Sequence, residues 1–428
     1  MQKQELTPCK VDLINIGDEL LDGLCENNHL RLIGEQVARA GHVLRRSAIV
    51  RDDDGGLASE FSRSWAEADV VITTGGMGPR YDDLTRETIS RQLGKRLVYD
   101  KKAEALLIDR LKAAGRPVVN SSDLTQCWIL EGSELLPNLN SNAPGILYRD
   151  GAKILIMLPG DVNAVKALFA EFISPLLRKM SRCPEGGEPY VQIRTFGSTI
   201  NVVEDKIRPL IDKTRVKFVT GERHGMVDIR LMSGQSGFCC KQLLETAKQV
   251  REIMGEEFVC TGHDRLSSIV LEQLKALEAT IGVAESCTGG LLSGALTEVP
   301  GASKCFAGGG VVYSKDLKGL IGAPEEILNQ HGEVSAECAV ALAVAAAERF
   351  GSDYGLSVTG YAGPDGGTTG TPVGTVFVGY SSPQGEWASR FFFRGNRHAV
   401  RAQAVNAALD LVRRKLNKYR VKDVLLSV

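Results

Sequence analysis

Residues Val283–Gly301 read VAESCTGGLLSGALTEVPG. The apolar run TIGVAES has the make-up of a buried strand, and the pair Gly289-Gly290 opens LLSGALTEV, which has helical spacing. A strand turning directly into a helix is the building unit of an α/β sheet. The turn sets a hydroxyl (Ser286), a thiol (Cys287) and backbone N–H groups at a helix N-terminus, where negative charge is favoured. Such a place suits a phosphate, or an oxyanion beside a serine nucleophile. A serine ahead of a glycine turn is also a common helix cap. Cys287, with no paired histidine, reads as a packed thiol.

Outward from this stretch the alternation continues. SSIVLEQLKALE precedes it as a helix. After it come strand FAGGGVVYS, the Ala-rich helix SAECAVALAVAAAERFG, strands YGLSVTG, GTVFVGYSS and ASRFFFRG, and a helix from about Arg397 to Leu416. The start of the chain shows the same pattern in strand VDLINIG, helix NNHLRLIGEQVARAG, strand VLRRSAIV, a helix near Leu57–Ala68, strand DVVITTGG, helix DLTRETISRQLG and strand ILIMLPG. This predicts parallel sheets with helices on both faces. Between the two, CPEGGEP (Cys183–Pro189) and TGHDR (Thr261–Arg265) read as linkers around a small α+β segment. The predicted fold is α/β: two three-layer α/β/α sandwich domains, 1–182 and 265–420, joined by a small α+β domain at 187–262.

The 428 residues are too many for one core. A formal net charge of −1 leaves no global field for nucleic acid or anionic membrane. No run of 18 apolar residues occurs, so no membrane span is expected. Ten cysteines in a chain this long are no disulfide framework, and a reduced, cytoplasmic protein is expected.

A serine nucleophile needs a base. His263 and His331 lie in a linker and a loop without triad spacing. A lysine serves where desolvation disfavours its charged form, and Lys318 follows strand GGGVVYS within one turn. In a parallel sheet Ser286 and Lys318 then share the carboxyl-end rim. Tyr313 is placed to stack on a ring or relay a proton.

With ESCTGG, ALTEVPG, YSKDLK, HGEVS, VTGYAGP, PVGTVFVG and FRGNRHAVR in this order, the chain from about Leu266 to Leu416 resembles the PncC/CinA C-terminal family of nicotinamide-nucleotide (NMN) amidohydrolases. The resemblance implies a Ser–Lys dyad at Ser286 and Lys318, with Tyr313 catalytic beside them. It implies substrate contacts at Thr288, Gly289, Gly290, Thr359, Gly360 and Arg397, with N–H groups near Thr288–Gly290 holding the oxyanion. The implied reaction converts NMN to nicotinic acid mononucleotide and ammonia, in pyridine-nucleotide recycling and with no cofactor. Lys315 departs from the family's usual Asn and puts a second amine near the site.

IGDELLDG, ITTGGMGPRYDDLT, NAPG and LPG resemble the molybdopterin-binding-like domain of CinA proteins, from about Lys10 to Met180. Glycines after a strand allow close phosphate approach, and Asp82-Asp83 suit a divalent metal ion or, alternatively, a helix cap. The resemblance implies a nucleotide site at Gly75, Gly76, Asp82 and Asp83 with metal-dependent ADP-ribose pyrophosphatase activity. Arg80 in GPRYDD, NSSDLTQCWI, and the acid missing from LPGDVNA depart from the family pattern, so an altered or weakened site is expected. The middle segment resembles the KH-like domain of the same proteins but lacks a GXXG clamp, so RNA binding is not expected. Other readings are pyrophosphate hydrolysis as the main activity, or a non-enzymatic competence or damage-inducible nucleotide-binding protein. A homodimer is expected.

Overall fold

A computed structural model describes residues 8–116, 118–138, 143–181, 189–214, 216–233 and 240–417. Most of the expected linker, Cys183–Glu188, and Asn142 of NAPG lie outside them. The chain divides into two units, Met1–Tyr190 with Ser233–Cys240, and Val191–Met232 with Lys241–Val428.

The first unit holds strands β1 (Lys10–Ile16), β2 (Val43–Val50), β3 (Val70–Thr74), β4 (Leu97–Tyr99), β5 (Trp128–Leu130), β6 (Glu134–Leu136), β7 (Gly145–Asp150) and β8 (Lys153–Leu158). The main sheet runs β2-β1-β3-β8-β7-β6, and β4 pairs with β5 alone. The first four strands of the main sheet are parallel. β7 and β6 then run antiparallel, which corrects the expected parallel sheet to a mixed one. Alternate residues go to opposite faces, as a period of two requires. Leu13, Val70, Ile72, Ile156 and Leu158 pack with Ile33, Val37, Val165 and Phe169 on one side. Ile14, Val71, Leu155 and Met157 pack with Leu57, Phe61 and Ile89 on the other. Buried on both faces, β3 carries no exposed residue, and β2, at the edge, carries no buried one.

The second unit holds two sheets. β9 (Tyr190–Phe196), β10 (Val216–Arg223), β11 (Met226–Ser233) and β12 (Phe258–Thr261) form one in the order β10-β11-β9-β12, with helices Ile200–Ile211 and Cys240–Met254. Thr261, expected in a linker, ends β12. β13 (Ile281–Glu285), β14 (Phe306–Val311), β15 (Tyr354–Gly360), β16 (Thr375–Ser382) and β17 (Gly385–Phe392) form the other in the order β14-β13-β15-β16-β17. Here β13, β14 and β15 are parallel while β16 and β17 are antiparallel, a second correction to a mixed sheet.

Helices Leu266–Ala276, Leu291–Thr297 and Arg397–Asn417 cover one face through Val270, Leu274, Leu292, Leu296, Ala404 and Ala408. The Ala-rich helix Ala336–Phe350 covers the other. Its close approach needs bare backbone beneath it. A Cβ on Gly355 would lie 1.8 Å from Ala343 O, and one on Gly379 2.0 Å from Ala339 O. Ser357 Oγ, between them, donates to Ala339 O at 2.5 Å. Among the described residues no helix is long and apolar enough to cross a membrane.

Candidate active site at the strand-end rim

Ser286 follows β13 directly and is 7% exposed. Its N–H donates to Val358 O at 2.8 Å, and Val312 N–H donates to Glu285 O at 2.7 Å. The carboxyl ends of β13, β14 and β15 therefore stand abreast, as parallel strands dictate. They bring together the Ser286 turn, the Tyr313–Lys318 segment and Thr359.

Glu285, to which the sequence assigned no role, is fully buried. Its carboxylate accepts from the N–H groups of Gly290 (3.0 Å), Leu292 (3.0 Å) and Ser293 (2.8 Å), and from the Ser293 hydroxyl (2.6 Å). Helix Leu291–Thr297 is thus capped by the acid one residue before Ser286, and its N-cap position, Gly290, has no side chain to do so. That settles the cap alternative against Ser286, whose hydroxyl makes no cap bond.

The same bonds correct the expected oxyanion donors. Gly290 N–H goes to Glu285, and Gly289 N–H goes to Ser286 O at 3.1 Å. The N–H groups of Cys287 and Thr288 have no acceptor on another described residue, and they remain to face an anion. The Thr288 hydroxyl, fully buried, also has no partner among the described residues. Gly289 (φ 57°) and Gly290 (φ 93°) hold left-handed backbone that favours glycine, so their part is to shape the turn. Arg401 clamps it from outside through Nε to Cys287 O (3.0 Å) and Nη2 to Thr288 O (2.7 Å). Cys287 is 5% exposed, and burial pushes its thiol up to about 12, as suits a packed side chain.

Lys318 lies in helix Lys315–Ile321, which starts just past β14 with Ser314 as its cap. It is 2% exposed, and its Nζ donates to Glu333 Oε2 at 2.8 Å. No hydrogen bond joins it to Ser286 among the described residues. Lys315 is exposed and donates to Asn329 Oδ1 at 2.6 Å, so the two amines occupy different surroundings. Thr359, expected against substrate, donates its hydroxyl to Glu333 O at 2.7 Å. Gly360 is required by the sheet, since a Cβ there would lie 2.6 Å from Thr375 O. Tyr313 and Arg397 are brought together: Arg397 Nη2 donates to the Tyr313 hydroxyl at 2.9 Å, and Nη1 to Gly363 O at 2.7 Å. Sequence reasoning missed Glu333 although HGEVS was in view, because its contact with Lys318 is made through space.

In the first unit a cavity of about 530 Å³ opens at the carboxyl ends of β1, β3 and β8. Gly75, Gly76, Asp82 and Asp83 all line it, with Arg80, Asp161 and His29. A Cβ on Gly75 would lie 2.1 Å from Ile16 O, so the glycine loop sits tight on β1. Asp83 Oδ2 accepts from Arg80 N–H at 2.7 Å. The helix Thr85–Leu93 has no side-chain cap, so neither acid caps it. Asp82 Oδ1 is buried without a partner among the described residues.

Glu19 and Asp52, which also line the cavity, were missed there, though IGDELLDG marks the first. Burial, then the charges of Glu19, Asp18 and Asp82, push Asp52 above the usual carboxylate range. Arg86, also missed, is buried and donates to Met77 O (2.9 Å) and Gly78 O (3.1 Å), holding the loop. The unpaired Asp82 oxygen and its acidic neighbours suit a cation, yet no group of three or more His, Cys, Asp or Glu among the described residues is arranged to hold one.

Two α/β units, one with a serine and a buried lysine at a strand-end rim and one with a glycine-lined acidic cavity, define the class. Residues 12–179 match the model of a probable molybdopterin binding domain, and residues 263–416 that of the CinA C-terminal domain. The chain is 33% identical to a putative competence-damage inducible protein of Caldanaerobacter subterraneus subsp. tengcongensis, over 95% of this chain and 98% of that one. It is 34% identical to a CinA-like protein of Kosmotoga olearia, over 95% and 99%. A crystal structure of a competence-damaged protein (CinA) superfamily protein from Klebsiella pneumoniae is 33% identical, covers 36% of this chain and 96% of that chain, and has a TM-score of 0.35. The chain belongs to the CinA family.

Proposed function

We propose that the second unit is a serine amidohydrolase that converts NMN to nicotinic acid mononucleotide and ammonia. The observation that carries this reading is the rim itself. Ser286 is relieved of capping by Glu285, a buried lysine stands on the neighbouring strand end, and the N–H groups of Cys287 and Thr288 have no acceptor on another described residue. Ser286 Oγ attacks the carboxamide carbon while Lys318, as the free amine, takes the hydroxyl proton. The Cys287 and Thr288 N–H groups stabilise the oxyanion. Lys318 returns the proton to the departing nitrogen, ammonia leaves, and water attacks the acyl-serine to release the acid. Serine and lysine supply nucleophile and base, so this step calls for no cofactor. Arg397, tied to Tyr313 and Gly363, borders the rim where the nucleotide's phosphate enters.

The test is incubation with NMN without added metal, measuring ammonia and nicotinic acid mononucleotide, beside Ser286→Ala. Product from the intact chain that is absent in the variant supports the reading. Absence from both overturns it.

The cavity of the first unit supports a second reading, weak or altered hydrolysis of ADP-ribose with a divalent metal ion near Asp82. AMP released from ADP-ribose is its measure. Neither ammonia nor AMP would favour a binding protein of the competence or damage-inducible kind. We further read the segment β9–β12 as a KH-like spacer and the protein as a cytoplasmic homodimer, which sedimentation would test.

A further inference from the structure

We infer that Arg401 is a positioning residue that aims the Thr288 N–H, one of the two oxyanion donors, and so raises kcat without touching substrate. The inference rests on the amidohydrolase reading above. In a trans peptide the C=O and the N–H point to opposite sides of the chain, so whatever holds the oxygen also aims the N–H. The Cys287 N–H shares its peptide with Ser286 O, which accepts from Gly289 N–H at 3.1 Å. That donor is aimed by the turn itself. The Thr288 N–H shares its peptide with Cys287 O, and there Arg401 Nε donates at 3.0 Å. Among the described residues no other donor reaches Cys287 O. The next peptide is held by the same guanidinium, since Nη2 donates to Thr288 O at 2.7 Å, beside the Leu291 N–H at 3.3 Å.

The arginine is set for this task by its helix and by the turn. Val400 and Ala404, on either side of it in helix Arg397–Asn417, are buried in one core with Leu292 and Leu296 of the helix that the turn opens. A Cβ on Gly289 would lie 3.2 Å from Arg401 Nη2, so the glycine leaves room for the guanidinium as well as supplying the turn's backbone. Two donors in a fixed fork match two successive carbonyl oxygens, which a lysine's single ammonium does not. Among the described residues no carboxylate pairs with Arg401, so its charge is spent on the two peptides. A hydrogen bond accepted at a peptide oxygen also strengthens that peptide's N–H as a donor. Arg397, one turn earlier, is bound to Tyr313 and Gly363 and takes no part in the turn.

As Ser286 Oγ bonds to the carboxamide carbon, its proton passes to Lys318 and the C=O electron pair moves onto oxygen. The oxygen carries full charge only from that point, so an aimed N–H acts on the transition state more than on bound substrate. Replacing Arg401 by Met keeps the stem and removes both bonds. The peptide is then free to turn the Thr288 N–H away, and kcat must fall while KM holds.

The experiment compares ammonia release from NMN by the full chain, by Arg401→Met and by Arg401→Lys, with two binding measurements beside it. Met should lower kcat about a hundredfold and leave KM within about threefold, and Lys, with one donor, should recover part of the loss. The first binding measurement is the Kd of NMN for the Ser286→Ala chain, with and without Arg401→Met, which should agree. The second uses the NMN analogue with an aldehyde in place of the carboxamide, to which Ser286 Oγ adds to give the same oxyanion. Its affinity for the chain with Ser286 intact should fall about a hundredfold in Arg401→Met, in step with kcat. A merely structural role would weaken NMN and the aldehyde alike, and that result overturns the inference, as does an unchanged kcat; both leave the amidohydrolase intact. If Met does not fold, Lys carries the same comparison. No ammonia from the parent overturns the amidohydrolase reading, and the role of Arg401 with it.

Discussion

Glu285 and Ser286 are chain neighbours, and the four hydrogen bonds accepted by the first leave the second uncommitted. Removing the carboxylate strands the buried N–H of Leu292 and the part-buried N–H groups of Gly290 and Ser293, at about 1 to 3 kcal/mol for a buried donor before relaxation. Glu285→Ala is expected to destabilise the second unit by about 3 kcal/mol or more, read as a lowered calorimetric transition, and to abolish ammonia release with it. Ser286→Ala should lower release about a thousandfold or more while leaving that transition in place. Cys287 provides a check on the nucleophile. With its thiol pushed up to about 12, only about one part in ten thousand is thiolate at pH 8. Iodoacetamide at pH 8 should leave Cys287 unmodified in peptide mass maps of the native protein, and activity should survive.

At the scale of elements, the site depends on how closely two helices meet the sheet. Helix Ala336–Phe350 reaches the strands because Gly355 and Gly379 present no Cβ to the carbonyl oxygens of Ala343 and Ala339. Gly379→Ala should cost about 2 kcal/mol by overpacking, measured as a lowered transition of the second unit. Because that helix also packs near Lys318 and Glu333, activity should fall with it. Helix Arg397–Asn417 works from the opposite face. Arg397 ties Tyr313 to the Gly363 loop, and Arg401 holds the Ser286 turn. Arg397→Ala is expected to raise KM for NMN about tenfold with a smaller fall in kcat, and Tyr313→Phe to do less, since it removes one of the two arginine bonds. The strands and longer helices of the sheet that carries Ser286 were legible from period, whereas in the first unit β4 to β7 and the helices Lys101–Ala113, Val162–Leu168 and Ser174–Ser181 were not read. Strand directions at the sheet edges were not legible. β7 and β16 begin with apolar runs that a parallel or an antiparallel strand would carry equally well.

Across the whole molecule, two candidate sites lie on two units, and product identity separates them. Asp82→Ala should abolish any AMP release from ADP-ribose and leave ammonia release from NMN unchanged, while Ser286→Ala should do the reverse. In both units most candidate residues named from sequence fall after the carboxyl ends of parallel strands, where the chain leaves the sheet and side chains become available; Arg397, past the antiparallel β17, is the exception. The sequence by itself determined the α/β alternation of the two units and the placing of Ser286 and Lys318 at the same strand-end rim, because periodicity and strand–turn–helix order are local properties. Only the tertiary structure decided what those groups touch. It gave Glu285 the helix cap, withdrew the Gly289 and Gly290 N–H groups from the oxyanion, and set Glu333 against a lysine 15 residues away in the chain. Hydrogen bonds are chosen among whatever donors and acceptors the packed core brings within 3 Å or so, and no pattern along one chain specifies that choice.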